Sequence, residues 1–530
     1  MNENWPILTK WRKNKGDIDA GILHPALASL TKEHEARRRM MCGTKHEQYH
    51  RGEARTGKDA RITRRTFVAA GSALGVATAV APWVITSARA QDKTLRILQW
   101  SHFVPSYDTW FDAFAKKWGE ENGVQVSVDY INIADLAATT ASEISAGSGH
   151  HLIELGPEAA QFEPSLIDMA DINQEMASRY GKPFGVAERV SYNPVTKKHY
   201  AFCHGWTIDP GDYRKSLWEK AGMADGPVTW EDLLNVGAKI KDEQGVQVGI
   251  GLSQEIDSNM AARAVLWSFD TSLQDEDGTI VLDQGENLKR TIDAVKYMKS
   301  LYDRALTPEV FSWNAASNNQ ALIAGRASYI LNSISAYRSA QEARPDIAKD
   351  IFFTPALKGP GGTGWGNVHV LYNYVIPAFA GDSADTAKQF IAHLVANYDE
   401  AMYQSKLYNS PSFPEAPIAS GQRSYPAVSE AKSLNDLTEA WFENDPFKLE
   451  DEAEGKLRVL KSAAEWTTNL GHPGYANPAI GEVFSTFVIP NMMANVARGQ
   501  IAPEEAVKDA AAQIRKVFEA WRKRGLVQGG

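Results

Sequence analysis

Four sets of residues in this chain have types that could do chemistry. Cys203 adjoins His204, a thiol beside a base; Glu154, Asp209 and Asp212 offer carboxylates; His150 and His151 are neighbours; and residues 358–367, KGPGGTGWGN, are the richest glycine stretch. Each set also has a plainer reading. A lone Cys-His pair supplies neither a third catalytic partner nor a metal-ligand count, so Cys203 reads as a small core residue at a strand end and His204 as the wall of a cleft. Adjacent histidines on a strand point to opposite faces and cannot readily share one ion. The glycine stretch lacks the Gly-Lys-Ser/Thr of a phosphate cradle, and the next segment is β-rich rather than helical, which excludes a nucleotide site of that kind. Beyond residue 90 no HExxH, no GxSxG and no carboxylate pair at a hydrolase spacing is present. What survives is recognition: His204, Trp206 and Asp209 cluster where the hydrophobic pattern breaks, the polar and aromatic mix that holds a small polar molecule.

The elements that must position these groups belong to a large chain. With 530 residues and 43% apolar residues it has enough material for two domains with ordinary cores. Of 56 Lys+Arg and 65 Asp+Glu, the first 90 residues carry 16 and 8, so the remainder carries 40 and 57, a formal charge of −17. An acidic body argues against nucleic acid or an anionic membrane surface as partner, since both demand a basic face. Cys42 and Cys203 are the only cysteines. No disulfide framework can form beyond residue 90, so stability must come from the core.

The first 63 residues are polar, charged and without periodicity, and read as disordered or as an over-long start with Met40 or Met41 as alternative initiators. Thr63-Arg64-Arg65-Thr66-Phe67-Val68 resembles a twin-arginine export motif. A weakly apolar run follows, diluted by Gly71, Gly75 and Pro82, and closes on Ala88-Arg89-Ala90. Small residues at the first and third positions before a cut place cleavage between Ala90 and Gln91, and the dilution makes the run a poor permanent membrane span.

Beyond the cut, strands and helices alternate. Residues 95–100 read as a strand; Ser106 caps a helix carrying Trp110, Phe111, Phe114 and Trp118, which Gly123 stops; residues 124–130 alternate as a strand; 134–146 read as a helix and 152–155 as a third strand. Such a βαβαβ run makes a parallel sheet covered by helices, with ligands expected beyond the carboxyl ends of its strands, here Trp100-Ser101-His102 and Glu154 to Pro157. An apolar run at 200–202 then breaks into a crossing through His204, Trp206 and Asp209 and resumes as a helix ending at Gly222. Thr229 caps a helix to about Lys241, residues 246–251 read as a strand, 385–401 as a helix, and the stripe Val507, Ala510, Ile514, Val517, Phe518, Trp521 as the last helix.

Several of these stretches are similar to one family. Residues 217–234, LWEKAGMADGPVTWEDLL, resemble the most specific segment of the extracellular solute-binding proteins of ABC importers, family 1. Residues 312–331, with NNQALIAGRASYIL at their core, the loop at 358–367, Tyr408-Asn409-Ser410-Pro411 and residues 471–479 resemble further motifs of the same family. Departures are local: Tyr213-Arg214 and Cys203 replace the usual Tyr-Asn and Pro around the hinge, His150-His151 replaces an Asp before the third strand, and Ile334-Ser335 stands where many relatives carry an aromatic.

The resemblance implies an α/β, two-lobed periplasmic-binding-protein fold (type II), each lobe a mainly parallel sheet flanked by helices, joined by a multi-strand hinge. Lobe 1 is expected from residues 91–205 plus about 370–457, and lobe 2 from 206–369 plus about 458–530. The implied function is that of a periplasmic protein without catalysis, a monomer that captures a sugar or polyol by hinge closure and delivers it to ABC permease subunits, after export through the Tat translocon. A binding protein for a non-sugar solute (glycerophosphodiester, amine or peptide) and a secreted polysaccharide hydrolase are the alternatives. The expected ligand contacts are Trp100, Ser101, Glu154, His204, Trp206, Asp209, Trp313, Asn332, Trp365, Asn367 and Asn409, aromatic faces stacking on a pyranose and polar groups bonding its hydroxyls, with no metal or cofactor. Trp110, Trp118 and Trp521 lie on periodic helix faces and read as core.

Overall fold

The computed structural model describes residues 93–367 and 370–528, with nothing said of the Asn367 side chain. The export pair Arg64-Arg65, the cut between Ala90 and Gln91 and the rest of the leader lie outside the described residues. The strands, in chain order, are β1 (Lys93–Trp100), β2 (Val124–Ile131), β3 (Leu152–Leu155), β4 (Tyr192–Asn193), β5 (Lys198–His199), β6 (Phe202–Trp206), β7 (Gly211–Arg214), β8 (Gln247–Gly249), β9 (Ala327–Leu331), β10 (Ile351–Thr354), β11 (Gly366–Asn367), β12 (Leu371–Val375), β13 (Ser410–Pro411) and β14 (Thr467–Thr468). They build a six-stranded sheet in the order β13-β6-β12-β3-β1-β2 and a four-stranded sheet in the order β10-β7-β9-β8.

Strand direction follows from where the chain enters each sheet. β1, β2, β3 and β6 run one way, and β12 runs against β3 and β6. In the second sheet β8, β9 and β10 run one way and β7 runs against its neighbours. β7 and β12 are the first strands after the chain passes from one sheet to the other. A strand that starts where the parallel strands finish has to run back along them, so each mainly parallel sheet carries a reversed strand at its point of entry. The chain passes over at residues 207–210, again before Leu371, and a third time at β14, which pairs in parallel with β11. This is the two-lobed α/β fold that the sequence implies, with a hinge of several strands.

Local chemistry accounts for the flanking helices. Gly123 ends the helix Ser106–Asn122 at φ 64°, a conformation that costs glycine little. Thr229 and Asp232 close a reciprocal capping box at the start of the helix Trp230–Gln244, with Oγ1 of Thr229 accepting from the Asp232 N–H at 2.9 Å. The helix Pro503–Arg522 buries Val507, Ala510, Ala511, Ile514, Phe518 and Trp521. Trp118 is buried against Phe390, as the periodicity requires.

Three local expectations change. Ser106 is the first helical residue rather than the cap, and its hydroxyl donates to the Gln404 carbonyl at 2.8 Å. The helix expected at 385–401 is two helices, Ser383–Val395 and Tyr398–Gln404. The crossing begins later than the pattern suggests, because β6 continues through Cys203, His204, Gly205 and Trp206. Those residues look turn-like, yet tertiary pairing on both edges holds them extended, and Gly205 leaves room for the Tyr398 hydroxyl, which a Cβ there would strike.

Candidate functional site

Two groups of buried polar side chains lie at the strand ends where the sheets approach one another. The first belongs to the six-stranded sheet. The Tyr372 hydroxyl, on β12, donates to Asn409 Oδ1 at 2.7 Å and lies 2.6 Å from Thr207 Oγ1. His102, just past β1, brings Nε2 to 2.9 Å from the same Asn409 oxygen, while its Nδ1 accepts from the Val104 N–H at 2.9 Å. Burial pulls the His102 pKa down to about 4, so the ring is neutral and donates through Nε2. Asn409 is 1% exposed; its carbonyl oxygen serves two donors, and its Nδ2 has no partner among the described residues. Trp100 backs this set, stacked on His102 at 4.8 Å and nearly parallel to the Tyr372 ring at 6.2 Å.

The second group belongs to the four-stranded sheet and its helices. Glu255 caps the helix Ile256–Ser268, accepting from the Asp257 and Ser258 N–H groups at 2.7 and 2.5 Å. Asp257 Oδ2 accepts from Asn318 Nδ2 at 2.8 Å, and Asn332, just past β9, donates to the side-chain oxygens of Asn318 and Asn319 at 3.0 and 2.6 Å. Ser335 accepts from Asn319 Nδ2 at 3.0 Å, so the position lacking the family's aromatic supplies a hydroxyl instead. Burial, then the negative charges of Glu255 and Asp209, hold the Asp257 carboxyl well above the ordinary range. Asp212 is raised for the same reasons, burial first and Asp209 second, and neither of its oxygens has a hydrogen-bond partner among the described residues. Tyr408 joins the two groups, its hydroxyl beside Ser333 and Thr207 and within the field of Asp257 and Asp209.

The remaining expected residues fall in different surroundings. Glu154 and His204 meet inside the first sheet, with Oε1 of Glu154 2.8 Å from Nε2 of His204 and both side chains buried. The β6–β12 register skips His204, so the strand bulges there and turns the ring toward Glu154, with Tyr374 stacked on it at 4.6 Å. Trp206 stacks on Phe184 at 4.3 Å and lines a cavity of about 150 Å³ with Ile208, Pro411 and Lys461. Ser101 is exposed at the end of β1, its N–H bonded to the Ile131 carbonyl. Trp313 is 9% exposed and its carbonyl accepts from Ser253 Oγ at 2.7 Å. Trp365 lies 4.9 Å from the His472 ring, and Asn367 pairs with Thr468 through β11 and β14. The structure thus gathers Trp100 with Asn409 and Asp209 with Asn332, links the two through Tyr408, and sets the Glu154–His204 pair, Trp206, Trp313 and Trp365 in other contacts.

The other residues of chemical interest have defined surroundings. Cys203 is buried, bonded through its thiol to the Gly205 carbonyl at 3.3 Å, and burial pushes its pKa up to about 12, which removes thiolate chemistry at neutral pH. His150 and His151 diverge: His150 binds Glu143 and Asp129 at 2.6 and 2.9 Å, whereas His151 turns to the Arg96 N–H. Among the described residues no cluster of His, Cys, Asp and Glu is arranged to hold a metal. Tyr372 sits within the apolar-looking run LYNYV and reads as core from sequence, Asn318 lies in the family-like run at 318–331 but is not among the expected contacts, and Asp257 carries no recognisable spacing.

Comparison with known proteins follows the same lines. Residues 109–427 match the model of the bacterial extracellular solute-binding proteins. A binding protein of Brucella abortus (strain 2308) is 25% identical over 284 residues, which span 52% of this chain and 66% of the relative's own length. Among solved structures, a sugar transporter protein from Arthrobacter chlorophenolicus with bound laminaribiose superposes with a TM-score of 0.65 at 16% identity, covering 80% of this chain and 99% of the other. Maltose-bound T. maritima MalE3 gives 0.62 at 18% identity, and an Agrobacterium radiobacter solute-binding protein with ribitol gives 0.61 at 17%, each with 80% and 99% coverage. At such identities the likeness establishes the fold, and the model match over more than half of the sequence establishes the kinship. The chain belongs to the bacterial extracellular solute-binding protein family.

Proposed function

We propose that this protein is the periplasmic substrate-binding subunit of an ABC importer, which captures a sugar or polyol between its lobes by hinge closure and hands it to a membrane permease without chemical change. The observation that carries the reading is the meeting of two buried polar groups from two sheets, with the Asn409 amide left as a free donor among the described residues. Hydroxyl-rich solutes suit such a lining because each hydroxyl can both donate and accept. The laminaribiose, maltose and ribitol found in structural neighbours support this solute class.

In this reading lobe 1 comprises residues 91–205 with about 370–457, and lobe 2 comprises 206–369 with about 458–530. Asn409, Asp209 and Asn332 make polar contacts and Trp100 backs them. Ser101, Glu154, His204, Trp206, Trp313, Trp365 and Asn367 complete the proposed set, reached as the lobes open. Export follows the twin-arginine route with removal of residues 1–90, and the mature protein works as a monomer. A thermal-shift screen of residues 91–530 against sugars and polyols, with the mixtures then analysed for products, tests the proposal. Stabilisation by a recovered, unaltered solute supports it; conversion of a glycan to product overturns it.

A further inference from the structure

Arg263 is a buried cation that nothing in the described fold neutralises. It lies midway along the helix Ile256–Ser268 and is 0% exposed. Its Nη1 donates to the Asn259 carbonyl at 3.3 Å and to Asn259 Oδ1 on its own helix, and its guanidinium lies 5.2 Å from the Phe484 ring. Nε and Nη2 have no partner, and no carboxylate pairs with the group, among the described residues. Burial lowers its pKa to about 9, which still leaves it cationic at neutral pH.

The arrangement of the free nitrogens is specific. Nε and Nη2 form one edge of the planar group, the fork that receives a carboxylate or phosphate through two parallel hydrogen bonds. Nη1, on the other side, tethers the group to the helix. The fold satisfies a buried arginine elsewhere: Arg338 gives both terminal nitrogens to Asp445 at 2.7 and 3.0 Å and Nε to the Lys406 carbonyl at 2.8 Å. A buried charge without such partners is costly, and the cost is met when a ligand brings the opposite charge.

Arg263 also lies beside the seam. Asn259, one turn earlier, donates to the Phe484 carbonyl at 2.9 Å, and Phe484 belongs to the helix Pro478–Ser485. That helix packs on residues 157–165 of the first sheet's β3 loop, where Gln161 Nε2 donates to Ser485 Oγ at 3.0 Å. The helix that carries Arg263 begins at Glu255 and Asp257, members of the second polar group.

We propose that Arg263 receives an oxyanion of the transported solute, which is therefore an acidic polyhydroxyl compound, a sugar acid or a sugar phosphate, rather than a neutral sugar. This deepens the binding-protein reading and rests on it. Hydroxyls of the solute meet the Asn409 and Asn332 groups, and its carboxylate or phosphate meets the free Nε–Nη2 edge as the lobes close.

The test is titration calorimetry at fixed ionic strength with glucuronate, gluconate and glucose 6-phosphate, each beside glucose and sorbitol, on wild type, Arg263→Lys and Arg263→Met. At least one acidic probe is expected to bind tenfold or more tighter than the neutral ones. Arg263→Met should lose that preference by tenfold or more, and Arg263→Lys, which keeps the charge without the fork, should lose part of it. Glucuronate and glucose 6-phosphate separate the carboxylate from the phosphate. Without ligand, Arg263→Met should melt no lower than wild type, since an unpaired buried charge is gone. If Arg263→Met fails to fold, the Lys variant's loss of acid preference decides. Equal affinity for acidic and neutral probes, or a preference that survives both substitutions, overturns the inference while saturable neutral binding leaves the binding-protein reading standing. Failure of every probe overturns both.

Discussion

The Tyr372 hydroxyl donates to Asn409 Oδ1 at 2.7 Å, and this bond fixes the asparagine so that its Nδ2 points away from its own partners. With His102 also donating to that oxygen, the amide has one orientation that satisfies the network. Asn409→Leu should therefore weaken solute binding by about 1–2 kcal/mol, roughly five- to thirtyfold, while Tyr372→Phe should cost about 0.5–1.5 kcal/mol of stability and relax the orientation. Calorimetry and urea unfolding measure the two effects; unchanged affinity in Asn409→Leu would remove the residue from the site.

The buried Glu154–His204 pair also contributes to stability. His204→Ala leaves a carboxylate buried without its partner and should cost about 3–5 kcal/mol. Replacing both by leucine should cost far less, because no charge is then stranded. Urea midpoints at constant slope check the difference.

His102 gives the acid side of the stability profile a defined sign. Its folded pKa of about 4 lies below the ordinary 6.5, so between those values the unfolded chain binds more protons and stability falls as pH drops. The full effect is about 3 kcal/mol. Asp108, which accepts from the His102 N–H and is pushed up to about 6, acts in the opposite sense, losing its contribution as pH rises through 6. His102→Gln should therefore remove the fall below pH 6.5 and leave the Asp108 component visible. An imidazole that titrates near 6.5 in the folded protein by NMR would contradict this.

Cys203 should resist thiol reagents. A buried thiol raised to about 12 presents almost no thiolate at pH 8, so labelling by a disulfide reagent should await unfolding and run at the unfolding rate. Rapid labelling of the native protein would show that β6 opens far more readily than its pairing suggests.

Much of the fold was legible because periodicity and end signals agree. The helices at 106–122, 230–244 and 503–522 carry apolar stripes bounded by Gly123, Thr229 and Pro503, and the strand at 152–155 is a short buried run. The site was legible only in part. Asn409, Asn332 and Asp209 lie just beyond predicted elements, where polar residues draw notice. His204 looked like a turn residue because its β-bulge and its Glu154 partner come from tertiary structure. Tyr372 hides in an apolar strand, and Arg263 hides in a helix whose residues from Asp257 to Ser268 are all buried, so no polar face marks it. Tryptophan's double use was the other obstacle: Trp206 and Trp100 both pack on neighbouring rings, a contact sequence cannot separate from stacking on a solute.

Small-angle X-ray scattering of residues 91–530, with and without a ligand found by calorimetry, tests most directly whether two lobes close around a solute. The prediction is a one-to-one complex whose radius of gyration is smaller than that of the free protein, with the ligand recovered unchanged. An identical scattering curve at saturation, or a ligand consumed during the measurement, would contradict it.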